Sequence, residues 1–201
     1  MSKHNVTQMG ISALAKTESM EAVPERPKYD TLRMWAQWCY DGEACKFEDG
    51  QCRGCGKPER TPWPETWMSV AHMMADRSYD PRLKVGAIIV SCDNTQMLSV
   101  GYNGNYKGGP HKHESSEPGK SGFIHAEVNA LVKCDFNFAK KKHMYVTHMP
   151  CRDCSKLIIN AEIARVVYHH PYRITDGVEL LKSVGVEVLT LGEAIAAYLP
   201  T

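Results

Sequence analysis

The sequence carries almost no excess charge. Its 24 lysines and arginines stand against 23 aspartates and glutamates, a formal +1, which leaves no basic field of the kind that holds duplex nucleic acid. No apolar run approaches the ~20 residues of a membrane-spanning helix. The N-terminal stretch MSKHNVTQMGISALAKTESMEAVPERP contains no apolar signal-peptide core. A cytoplasmic location, without stable nucleic acid or membrane partners, is the expectation. Aliphatic residues are scarce between 31 and 60, so packing alone cannot hold that segment.

What the chain does have is clustered cysteine. In reducing cytosol, thiols at short spacing are metal ligands more often than cross-links. Of eight cysteines, Cys39, Cys45, Cys52 and Cys55 fall in one segment and Cys151 and Cys154 in another. Cys92 and Cys134 stand alone and read as small core residues.

Three regions follow. Residues 1–30 show no sustained period and end in VPERPKYD, a flexible N-terminal arm. Residues 31–61 carry C-x5-C-x6-C-x2-C, enough thiols for a closed structural zinc site. Metal binding would supply the ordering free energy that burial cannot. Residues 62–201 are regular. WPETWMSVAHMMADRS has helical spacing, LKVGAIIVS and MLSVGYN read as a hairpin joined by CDNTQ, and IHAEVNALVKC reads as a buried helix. HMYVTH, ARVVYHH and VEVLTL are strands alternating with the helices CRDCSKLIINA and DGVELLKSVG, before a last helix in GEAIAAYLP. That order predicts an α/β fold: a three-layer α/β/α sandwich around a five-stranded mixed sheet, with the cysteine-rich segment as an N-terminal zinc-binding insertion.

Two short stretches, HAEVNA and MPCRDC, carry the chemistry. Cys151 and Cys154, three apart, share a helix face, and Pro150 suits a helix start, so both thiols are expected in a first turn where backbone N–H groups favour thiolate. With His125 they make three protein ligands, which leaves one corner of a zinc tetrahedron open for reaction. Glu127 then stands beside the metal without being a ligand. A zinc so held brings water's pKa toward neutrality, and a neighbouring carboxylate can carry the proton to a leaving group.

H-x-E followed by P-C-x-x-C resembles the zinc-dependent cytidine and deoxycytidylate deaminase superfamily. The likeness spans about residues 62–190. Within that superfamily RSYDPRLKVGAIIV, SVGYNGNYKGG, HAEVNA, YVTHMPCRDCSKLIINA and ARVVYHHPY are similar to deoxycytidylate (dCMP) deaminases. The resemblance implies hydrolysis of dCMP to dUMP and ammonia, supplying dUMP for thymidylate synthesis. It makes Glu127 the proton shuttle and places Asn103, Ala126 and Tyr172 against substrate. It also implies a homohexamer activated by dCTP, with Mg2+ accompanying that effector, and restrained by dTTP. From their places near expected loop ends, Arg77, Ser78, Lys107 and Arg173 read as either phosphate-side candidates or solvated surface. His111 and His113 read as either a pocket-rim loop or more metal ligands. Gly101 and Gly104 read as bends at a strand end.

Other readings use the same residues. A dCTP or dual dCMP/dCTP deaminase differs only in phosphate-side loops. A polynucleotide-editing deaminase needs a basic or aromatic channel, against which the near-neutral charge weighs. A zinc-stabilised binding module without catalysis has no use for Glu127.

Overall fold

The computed structural model describes residues 60–117, 120–137 and 141–198, together with the backbone of 47–48 and 51–52. The chain divides into two compact units, residues 1–59 and 60–201. In the first, strands β1 (Phe47–Glu48) and β2 (Gln51–Cys52) pair antiparallel. The expected arm at 1–30 and the side chains of Cys39, Cys45, Cys52 and Cys55 lie outside the described residues.

The second unit opens with helix α1 (Trp63–Ala75), which starts after Pro62 with Pro64 in its first turn, where a missing N–H costs nothing. Strands β3 (Gly86–Ser91) and β4 (Met97–Tyr102) form the expected hairpin. Its turn is anchored by Asn94 in the left-handed region, φ 58°. Trp67 Nε1 donates to the Asn94 carbonyl at 3.1 Å, and the Tyr145 hydroxyl donates to Asn94 Oδ1 at 3.0 Å. One turn residue thus ties a helix and a distant strand to the hairpin.

Helix α2 (Ala126–Leu131), strand β5 (Lys142–His148), helix α3 (Arg152–Asn160), strand β6 (Ile163–His170), helix α4 (Asp176–Ser183), strand β7 (Glu187–Thr190) and helix α5 (Leu191–Tyr198) complete the unit. The five-stranded sheet runs β4-β3-β5-β6-β7. It is antiparallel from β4 to β5 and parallel from β5 to β7.

Alternation along the strands splits the core in two. Met68 and Ala71 of α1 and Ala194 of α5 pack on Ile88, Val90, Tyr145 and Val167 of one sheet face. Ala87, Ile89, Met144, Val146 and Val166 meet α2, α3 and α4 on the other. Each fully buried aliphatic contributes roughly 1.5–3 kcal/mol, so this is the three-layer mixed-sheet sandwich that the strand and helix order implies.

Gly101 is not a bend at a strand end: it lies inside β4. A Cβ there would stand 2.2 Å from the Ala126 carbonyl oxygen and 2.4 Å from Ala130 N, so its missing side chain lets α2 press on the sheet. Gly86 does the same for α1 on the other face, 1.9 Å from the Ala71 carbonyl oxygen. The two flanking helices therefore dock through glycines on neighbouring strands.

Candidate active site

Because β4, β5 and β6 run the same way and β3 runs opposite, the ends of the first three and the start of β3 share one sheet edge. Open α/β sheets place ligands at such an edge. An isolated bridge between Gly104 and Ile124 brings the segment before α2 to the end of β4. His125 is the N-cap of α2 and has extended backbone, ψ 155°. Cys151 caps α3 in the same way, ψ 168°, with Cys154 the third residue of that helix. Pro150 thus precedes the cap rather than opening the helix, and only Cys154 lies in the first turn.

His125 Nδ1 is 3.5 Å from Cys151 Sγ and 3.3 Å from Cys154 Sγ, and all three ligand atoms lie within 4.8 Å of one another. Ligands about 2.0–2.1 Å (nitrogen) and 2.3 Å (sulfur) from one tetrahedral zinc are about 3.6 Å apart. One imidazole and two thiols at this spacing fit the metal that the residue types suggest.

The local electrostatics point the same way. A hydrogen bond from Cys154, helped by His125, draws Cys151 down to about 4, in favour of thiolate. The Cys154 thiol is correspondingly pushed up, as donor to Cys151 and by burial. The hydrogen bond with Cys151 raises the His125 imidazole. Glu127, in the first turn of α2, is only 4% exposed. Burial holds its carboxyl above the ordinary carboxylate range despite the nearby His125. A carboxyl raised in this way takes up a proton more readily than an exposed one, as a general base requires.

The other expected contacts are distributed differently. Ala126 is fully buried in the α2 face of the core. Tyr172 is 46% exposed on the loop leaving β6. Asn103 is 6% exposed and its amide is engaged within the protein. Its Oδ1 accepts from Val85 N at 2.8 Å, and its Nδ2 donates to the Leu83 carbonyl at 2.8 Å and to Asp80 Oδ2 at 3.2 Å. Ser78, read as a phosphate-side position, is buried and donates from Oγ to the Asn103 carbonyl at 2.8 Å. Lys107 and Arg173 are exposed, and the Arg77 guanidinium lies 5.9 Å from the Tyr102 ring centre.

Three residues beyond the motifs shape this edge. Asp80 accepts from Arg82 N and meets His113 Nε2 at 3.0 Å. Burial opposes its charge, but the Arg82 and Leu83 N–H groups and His113 outweigh that and lower its pKa. His113 is half-buried, edge-on to Phe123, whereas His111 is exposed and stacked on Tyr79. Gly177, in α4, supports the turn that presents Cys151. The turn-forming sequence SYDPR hints at Asp80; no local signal marks Gly177.

A three-ligand cluster beside a buried carboxylate, at the strand ends of an open α/β sheet, has the parts of a metal-assisted hydrolase. Residues 61–170 match the family model described as the cytidine and deoxycytidylate deaminase zinc-binding region, and the chain belongs to that family. It is similar to ComE operon protein 2 of Bacillus subtilis (strain 168), 38% identical over 137 residues, which cover 65% of this chain and 71% of that one. The deoxycytidylate deaminase of Mus musculus is 37% identical over 137 residues, covering 62% and 76%. Among solved structures, the dCMP deaminase from cyanophage S-TIM5 in complex with dCMP and dUMP is 37% identical. The match covers 66% of this chain and 99% of that chain, with a TM-score of 0.57. Among the described residues no helix is long and apolar enough to cross a membrane.

Proposed function

We propose that this protein hydrolyses dCMP to dUMP and ammonia. The observation that carries the reading is the convergence of His125, Cys151 and Cys154 beside buried Glu127, in a chain whose similar relatives include enzymes named as deoxycytidylate deaminases. His125, Cys151 and Cys154 would hold a zinc ion, which when bound supplies the Lewis acidity that brings water's pKa toward neutrality. As the oxygen of the attacking water bonds to C4 of the cytosine ring, Glu127 accepts a proton from that water and delivers it to N3. It then carries the second proton to the amino group at C4, the C4–N bond breaks, and ammonia leaves. Burial keeps Glu127 basic enough to hold each proton between transfers. Tyr172, Asn103 and the backbone at Ala126 line the nucleotide side in this reading.

The reading extends to Cys39, Cys45, Cys52 and Cys55 as a structural zinc site within residues 31–61, supported by their spacing. It further includes a cytoplasmic homohexamer activated by dCTP with Mg2+ and restrained by dTTP, supported by the family resemblance. Elemental analysis of the purified chain should then give about two zinc ions, falling to about one in a Cys52→Ser, Cys55→Ser double variant.

Product analysis with dCMP, dCTP, deoxycytidine and single-stranded DNA tests the substrate directly. dUMP and ammonia should form from dCMP at the highest kcat/KM. A preference for dCTP, or turnover of DNA alone, would overturn the assignment.

A further inference from the structure

A second group of described residues also converges three metal-capable side chains. His72 lies in the last turn of α1, and His169 and His170 end β6. His72 Nε2 is 2.8 Å from His169 Nδ1, and one nitrogen from each of the three rings lies within 4.8 Å of the others. His72 is half-buried and the other two are exposed. Successive residues on a strand ordinarily point to opposite faces. Here the His169 and His170 rings stack, centres 4.1 Å apart, and both approach His72 edge-on at 5.0 and 5.7 Å. The strand end therefore turns both rings toward the helix. His148, opposite His170 on β5, places a further ring 4.9 Å behind it.

We propose that His72, His169 and His170 form a further, imidazole-only site for a divalent transition ion of the zinc or nickel class, one that takes up added metal beyond the zinc retained on purification. Imidazole nitrogen suits zinc, copper, iron and nickel, while calcium and magnesium take oxygen ligands. Two nitrogens about 2.05 Å from one ion stand about 2.9 Å apart at a right angle and about 3.3 Å apart at the tetrahedral angle. The observed 2.8 Å is within a small side-chain adjustment of either. A hydrogen bond satisfies the His72–His169 pair on its own, and the His170 nitrogen, within 4.8 Å of both, adds a third ligand atom to the same group. Asp76, the carboxylate just beyond His72, supplies nearby negative charge. An ion here would clamp α1, on one face of the sheet, to the end of β6 from which the Tyr172 loop departs. This site is independent of the His125 cluster and of the reaction proposed for it.

The test uses the full-length protein as purified, with its resident zinc retained. Calorimetric titration with Ni2+ is compared between wild type and His169→Asn, a substitution at an exposed position. Wild type should bind one more equivalent per chain, or bind that equivalent about 10-fold or more tightly than the variant. Added Co2+ should give wild type a d–d spectrum without a thiolate-to-metal charge-transfer band, and this signal should be missing from a His72→Gln, His169→Asn double variant. Deamination without added metal should be unchanged in His169→Asn. Identical Ni2+ titrations in wild type and His169→Asn would overturn the proposal. So would a wild-type cobalt spectrum bearing a thiolate band, a reading that stands even if the double variant does not fold.

Discussion

Gly177 lies so close to Pro150 that a Cβ on the glycine would stand 2.5 Å from the Pro150 carbonyl oxygen. The same atom would be 2.8 Å from the Cys151 carbonyl carbon and 2.9 Å from Ser155 Oγ. Helix α4 is therefore seated directly on the turn that presents Cys151. The obstacle is backbone, which cannot swing aside as a flexible side chain would.

Gly177→Ala should therefore loosen the metal cluster. Inside a helix this exchange ordinarily stabilises by about 1 kcal/mol, whereas crowding here should cost roughly 1–3 kcal/mol. The expected result is a lower melting temperature and about 10-fold or more faster loss of zinc to a chelator. A variant that melts higher than wild type and holds zinc equally well would show that α4 does not set the Cys151 turn.

Asn103→Ala should destabilise the segment between α1 and β3. The substitution strands Val85 N–H, the Leu83 carbonyl and one Asp80 oxygen, all now bonded to the amide. Losing these partners should cost about 2–4 kcal/mol in all, since each stranded group costs about 1–3 kcal/mol but some regain water. Thermal unfolding reads this directly. An unchanged melting temperature with only a raised KM for dCMP would instead make Asn103 a substrate contact and nothing more.

Acid should weaken the fold through His143. This residue is 7% exposed on β5, and its Nδ1 is buried without a hydrogen-bond partner. Burial, with Arg165 nearby, lowers its pKa from 6.5 to about 4. The unfolded chain therefore binds the proton more readily. The stabilisation from neutral His143 is fully present above pH 6.5 and is lost as pH falls through about 4, a change on the order of 3 kcal/mol. His143→Leu should make the acid limb of a stability-against-pH curve shallower. Some slope should remain, because burial and the neighbouring histidines also lower His148 to about 4. Superimposable curves for wild type and variant would remove His143 from the acid response.

The parts of this molecule that are legible in its sequence are those with a local signature. β-branched runs such as GAIIVS and ARVVYHH mark strands because their side chains suit a pleated, buried surface. HAE and PCRDC mark the site because metal chemistry limits both residue type and spacing. Less legible is whatever depends on a distant neighbour. Gly101 looks like a bend until α2 is laid across it. Asn103 looks like a polar loop residue until the chain between α1 and β3 folds back onto its amide. His72 and His169 are separated by 97 positions, and neither carries a local sign of the other. Pro150 misleads by one residue because Cys151, whose extended backbone ends the strand-to-helix turn, takes the cap itself.

The most direct test of the proposed chemistry is Glu127→Gln, assayed for zinc content, folding and dCMP turnover on one preparation. The amide keeps the shape of a side chain that is almost wholly buried in the first turn of α2, but it cannot take a proton from water. Zinc at His125, Cys151 and Cys154 and the melting temperature should remain close to wild type, while kcat for dUMP formation falls by about 10²–10⁴-fold. Turnover near the wild-type rate in a folded, zinc-loaded variant would contradict the role given to Glu127 and the reaction built on it.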